Sequence, residues 1–91
     1  MDFEWDAAKS ATNLSRRGFG FAYAAAIFLG PTLEAVDGRR DYGEMRTRAI
    51  GAVDDEVLVV IYTDRGDARR IISARRANRM ERLKWQSFAS R

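Results

Sequence analysis

At 91 residues the chain has room for one domain, 1–91, with one modest core that buries only somewhat more than roughly 60% of its unfolded surface. It contains neither cysteine nor histidine. That excludes a disulfide framework, a thiolate metal site and the commonest neutral-pH proton shuttle, so any catalysis must run on carboxylate, lysine, arginine, tyrosine or hydroxyl groups. The net charge of +3 hides an uneven distribution: residues 1–50 carry seven basic and seven acidic side chains, whereas Arg65 to Arg91 hold nine basic groups against Asp67 and Glu81. Fourteen of the sixteen basic residues are arginine, whose rigid donor fork suits phosphate oxygens and stacks on bases. RNA, DNA or an acidic protein is the expected partner, against the plainer reading of a solvated basic face. The start, MDFEWD, is acidic where a signal peptide needs positive charge, and no apolar run approaches the roughly 18 residues of a membrane span, so a soluble, cytoplasmic chain is expected.

In chain order, Phe3-Glu4-Trp5 alternates and reads as a brief edge strand. Asp6 is placed to cap a helix over Ala7–Arg17, with Ala7, Ala11 and Leu14 on one side, Lys9, Thr12 and Arg16 more exposed, and Gly18 as C-cap. Phe21, Ala24, Ala25 and Phe28 form a core-facing stripe on a second helix, Phe21–Leu29, ended by Gly30-Pro31. The period then becomes strand-like: Thr32–Val36, a polar turn at Asp37-Gly38-Arg39-Arg40, and Arg46–Ala52. The acidic turn Asp54-Asp55-Glu56 leads to Val57–Tyr62, whose continuous apolarity predicts a central strand. Asp64-Arg65-Gly66-Asp67 turns the chain into an antiparallel strand over Ala68–Ala74. Asn78 and Glu81 make a capping-box pattern for a last helix to about Phe88, expected to bury Met80, Leu83 and either Trp85 or Phe88. Two amino-terminal helices, four antiparallel strands, a short edge strand and a carboxy-terminal helix predict an α+β fold.

No phosphate-cradling glycine motif and no metal-ligand spacing occurs, and Asp54-Asp55-Glu56 reads as a solvated turn. The informative feature is Arg65, Arg69, Arg70, Arg75, Arg76 and Arg79 around one hairpin. Strict alternation places Arg69 with Arg75 and Arg70 with Arg76, and burying a lone guanidinium is prohibitive, so several are expected to converge in solvent on a polyanion. Asp64 and Asp67 are too few to neutralise them. In metal-free RNA cleavage a 2′-hydroxyl attacks the adjacent phosphorus, and fixed arginines stabilise the charge that builds on the non-bridging oxygens. Lys9, Tyr62, Glu44 or an acid near the hairpin are the options for moving protons. Tyr62 also reads as a packing residue with its hydroxyl at the rim, and Trp5 as a core anchor.

Phe3-Glu4-Trp5-Asp6, Lys9, Asn13, Gly18, Phe21 and Ala25 resemble the amino-terminal signature of the BrnT toxin family. Tyr62-Thr63-Asp64-Arg65-Gly66, Arg70-Ile71-Ile72-Ser73-Ala74-Arg75-Arg76-Ala77 and Glu81-Arg82 resemble its carboxy-terminal signature. The resemblance implies a RelE-like ribonuclease that needs no metal or cofactor. It also implies a BrnA-like ribbon-helix-helix antitoxin through whose complex alone operator DNA is bound. On this sequence the expected catalytic set is Arg65, Arg75, Arg76, Lys9 and Tyr62, with Arg69, Arg70 and Arg79 binding RNA. Where family members commonly carry histidine before the glycine ending the first helix, this chain has Arg17. The rival reading is a non-catalytic module binding RNA or protein through the same arginines.

Overall fold

The computed structural model describes residues 1–38 and 43–90; Arg39 and Arg40 of the expected polar turn lie outside them. The elements are β1 (Asp2–Trp5), α1 (Ala7–Arg17), α2 (Phe21–Ala25) continued by a 3-10 turn (Ala26–Leu29), β2 (Leu33–Val36), β3 (Thr47–Val53), β4 (Glu56–Arg65), β5 (Ala68–Arg76) and α3 (Arg79–Ala89). The strands form one sheet in the order β1-β5-β4-β3-β2, so the apolar run 57–62 is central as expected. β2 to β5 are antiparallel, but β1 pairs parallel to β5, from Asp2 opposite Ala68 to Trp5 opposite Ile71. The sheet is therefore five-stranded and mixed, rather than four antiparallel strands alone. Gly66, at φ 57°, supplies the positive dihedral that lets a two-residue turn join Arg65 to Ala68.

Helices and sheet divide the molecule by residue type. Phe19, Phe21, Ala24 and Ile27 pack on Ala49, Leu58, Val60, Tyr62, Ile71 and Ala74, with Phe3, Trp5 and Phe28 sealing the margin. Each large side chain fully buried here contributes about 1.5–3 kcal/mol. On the opposite face Ile50, Val59 and Ala77 meet Trp85 of α3.

Both long helices turn differently from their sequence pattern. In α1 the Asp6 cap holds, its carboxylate accepting from the Lys9 amide at 3.0 Å, and Gly18 ends the helix at φ 86°. Ala7, Ala11 and Leu14 nevertheless face solvent. The inward face is polar: the Asn13 amide donates to the Phe19 carbonyl at 2.9 Å, and the Ser10 hydroxyl accepts from the Phe21 amide at 2.9 Å. These bonds satisfy the chain reversal between α1 and α2, which a stripe of methyl groups cannot do. In α3 the Asn78–Glu81 capping box forms, but Met80 and Leu83 are exposed and Trp85 and Phe88 are half-buried. The box and the Arg75–Glu81 pair set the helix's rotation about its axis. No helix among the described residues is long and apolar enough to cross a membrane.

Candidate functional site

The arginine-bearing strand does not alternate strictly. Ser73 stands opposite Ile61 and Ile71 opposite Tyr62, so Ile72 is a bulge residue. A bulge shifts the pleat by one, and the residues after it change faces relative to those before. Arg69 and Arg76 consequently lie on the α1/α2 side, whereas Arg75 lies on the α3 side. This corrects the expected pairing of Arg69 with Arg75.

The arginines are also distributed rather than gathered, and most already hold carboxylates. Arg69 grips Asp64 through Nε at 2.8 Å and Nη2 at 3.2 Å, and its guanidinium lies 4.0 Å from the Tyr62 ring centroid and 4.9 Å from that of Phe28. At the other end of β5, Arg76 bonds Glu56 at 2.6 Å, lies over Phe19 and donates to the Arg17 carbonyl at the end of α1. On the α3 face Arg75 forms a bidentate pair with Glu81 at 2.7 and 2.8 Å. Arg70 is 4.0 Å from Glu4 and Arg65 is 3.9 Å from Glu44. Arg79 is exposed, with no ion pair among the described residues. The expected convergence of Arg65, Arg69, Arg70, Arg75, Arg76 and Arg79 is therefore not what the fold delivers: Asp64 and Glu81, close in sequence, hold Arg69 and Arg75, and the distant Glu44, Glu4 and Glu56 are brought to Arg65, Arg70 and Arg76.

Electrostatics follow these contacts. The Arg75 guanidinium holds the Glu81 carboxyl down at about 2, with the capping amide of Asn78 assisting. Burial, then the hydrogen bond to Glu34, pushes the Tyr62 phenol up to about 12. The phenol donates to Glu34 at 2.5 Å. Tyr23 is also raised to about 12, first by its hydrogen bond to Glu56. No group of three potential metal ligands is gathered among the described residues.

A different feature collects free cations. A groove of about 300 Å³ runs between α1 and the bulge of β5, lined by Lys9, Thr12, Asn13, Arg16, Arg17 and Ser73, with apolar floor from Phe21 and Ile72. Lys9, Arg16 and Arg17 have no ion pair among the described residues. Eight positions separate Lys9 from Arg17, which is about 12 Å along a helix. Arg76 borders its far end, its Nη2 3.9 Å from the Cβ position of Gly18. Of the expected catalytic residues the groove thus contains Lys9 and adjoins Arg76; Arg65, Arg75 and Tyr62 lie elsewhere. From sequence, Arg16 is an exposed helix residue and Arg17 stands out only where family members commonly carry histidine. Two adjacent cations in the last turn of a helix that buries no residue were the available signal.

No curated protein matches this chain in sequence. A family model does: the one described as the ribonuclease toxin, BrnT, of type II toxin-antitoxin systems matches residues 5–81. That span takes in α1, the sheet strands β2 to β5 and the start of α3, and so covers the groove and the arginine hairpin. With most of its length so matched, the chain belongs to the BrnT family of ribonuclease toxins.

Proposed function

We propose that this chain is a RelE-like, metal-independent endoribonuclease acting in the cytoplasm, and that the α1–β5 groove is where it holds the scissile phosphate. The observation that carries this reading is the lining of the groove: Lys9, Arg16 and Arg17 present uncompensated charge beside hydroxyl groups of Thr12 and Ser73. Cations held on a helix at fixed spacing favour the dianionic phosphorane-like transition state over the monoanionic diester, which lowers the barrier. Attack by the 2′-hydroxyl leaves a 2′,3′-cyclic phosphate and a 5′-hydroxyl. Arg17, where relatives carry histidine, stabilises charge and leaves proton transfer to Lys9 or solvent. Arg76 holds the end of α1 through the Arg17 carbonyl and so positions that side of the groove. Arg65, Arg70 and Arg79 are left to track the RNA backbone away from the cleavage point.

As a type II toxin the chain is paired with a protein antitoxin. We take that partner to be a BrnA-like ribbon-helix-helix protein that closes the groove and carries the complex to operator DNA. The test is incubation with total RNA in EDTA and mapping of the new ends. Wild type is expected to yield cyclic-phosphate ends, and Lys9→Ala/Arg17→Ala to lose about 100-fold in rate, the scale of removing one or two charge-stabilising donors. Intact RNA with wild type, or full activity in the double variant, refutes the assignment. The second reading, a module that binds without cutting, is favoured by the carboxylates already held by Arg69, Arg75 and Arg76; salt-sensitive RNA binding with no new ends is its signature.

A further inference from the structure

A second groove, of about 320 Å³, opens at the opposite end of β5 between the 3-10 turn, β2 and the start of β1. Its rim is unusually apolar for surface: Leu29 is 91% exposed and Met1 78%, and the half-buried Phe28 also lines it. Phe28 is itself held, stacked on Phe3 at 5.6 Å and edge-on to Tyr62 at 5.3 Å. With Phe3 stacked on the ring and the Arg69 guanidinium 4.9 Å from its centroid, the exposed apolar cover for a flat ligand is chiefly the Leu29 and Met1 side chains beside the ring's rim.

The polar end supplies the hydrogen-bonding code. Glu34 has one oxygen bonded by the Tyr62 phenol and the other by the Thr32 hydroxyl at 2.6 Å. A carboxylate offers about four acceptor sites, so each oxygen retains one. Arg69 spends Nε and Nη2 on Asp64 and is clamped over Tyr62, while its Nη1 has no hydrogen bond among the described residues. Tyr62 lies between the two, bonded to Glu34 and stacked under Arg69, so both polar groups are held relative to one ring. The groove is therefore lined by a carboxylate with acceptor capacity left on both oxygens and a guanidinium with a donor left on Nη1. Guanine presents the complement on its Watson–Crick edge, N1–H and N2–H next to the O6 acceptor. Adenine, cytosine and uracil each offer only one donor group on that edge and leave a Glu34 oxygen facing an acceptor or nothing.

We propose that this groove binds a guanine base of the RNA, with Glu34 taking N1–H and N2–H, Arg69 facing O6, and Leu29 and Met1 covering the base beside the rim of Phe28. The inference rests on reading the chain as an RNA-cleaving toxin and adds base selection to it. It is tested by titrating the folded chain with GMP, IMP, AMP, CMP and UMP, and by mapping cleavage ends for wild type, Glu34→Gln and Leu29→Ser. Glu34 and Leu29 are exposed, and glutamine keeps a carbonyl oxygen to accept the Tyr62 hydroxyl, so both variants are expected to fold. GMP is expected to bind about tenfold more tightly than AMP, CMP or UMP, the scale of one bidentate base contact, with IMP weaker for want of its 2-amino group. Glu34→Gln is expected to erase that preference, and Leu29→Ser to weaken all nucleotides alike. In RNA, wild type cuts at a constant offset from guanine and Glu34→Gln cuts without that bias.

Equal affinities, no nucleotide binding at millimolar concentration, or a preference that survives Glu34→Gln each overturn the proposal. Cleavage without base bias leaves the nuclease standing and removes the guanine site; Glu34-dependent GMP binding without RNA cleavage does the reverse. Loss of antitoxin binding in both variants, with no nucleotide bound, assigns the groove to the protein partner and ends the proposal.

Discussion

Replacing Glu81 with glutamine isolates one ionic contact, because glutamine at the third helical position still supports a capping box while its neutral amide cannot pair bidentately with Arg75. Glu81 is held at about 2 against an ordinary 4.5. At about 1.36 kcal/mol per pH unit that gap has a ceiling near 3 kcal/mol. The Arg75 side chain is 39% exposed, so solvent screening reduces the expected loss to about 1–2 kcal/mol. For a domain of this size that corresponds to roughly 5–15 °C in Tm. Because the folded value is depressed, the contribution is complete above the unfolded value, near pH 4.5, and disappears as pH falls through about 2. Urea melts of Glu81→Gln and wild type at pH 7, 4 and 2.5 measure it. The two chains should differ by about 1–2 kcal/mol at pH 7 and converge toward pH 2.5. A gap within about 0.3 kcal/mol at pH 7, or one that persists unchanged to pH 2.5, refutes the account of how α3 is fastened.

Gly51→Ala should destabilise by about 1–3 kcal/mol, since an added Cβ meets the Ile27 Cβ at 2.8 Å and Thr32 Cγ2 at 3.1 Å, and thermal melts will show it. Ultraviolet titration should find Tyr23 and Tyr62 still largely protonated at pH 11, both standing near 12. The stability those raised phenols contribute is complete below pH 10 and is lost as pH climbs through about 12; a single ordinary transition near 10 contradicts it. Arg76→Met should lower Tm and RNA-cleaving rate together, because it cuts the tie to the Arg17 carbonyl that steadies one end of the groove, whereas Arg65→Met should leave Tm within about 2 °C, consistent with an exposed contact at 3.9 Å.

Local chemistry was the legible part of this sequence. Asp6, Gly18, Gly66 and the Asn78–Glu81 box act on neighbours within a few residues, and each performs the role its type implies. The strand 57–62 was legible because only a central strand buries both of its faces. The second helix was read as one piece, but tightens to 3-10 geometry after Ala25. What escaped depends on partners far along the chain. The bulge at Ile72 carries no glycine or proline to announce it, yet it decides which face every later arginine occupies. Glu56, Glu4 and Glu44 reach Arg76, Arg70 and Arg65 only once the sheet exists, so a count of nearby acids could not foresee the pairing. Ser10 and Asn13 looked ordinary because their backbone partners, Phe21 and Phe19, become reachable only after the turn forms.

The parallel union of the first strand with the last has a consequence for timing. Asp2–Trp5 is seated against residues 68–71, and the cationic helix that follows it finds its opposite wall only in residues 72–76. Closing so long a span of chain is the slow part of assembling such a topology. During synthesis the β2–β3 and β3–β4 pairs can form early, while the first dozen residues wait for residues 68–76 to emerge. The groove beside that helix thus comes into being only when β5 pairs, so Lys9, Arg16 and Arg17 stand without an opposite wall until then.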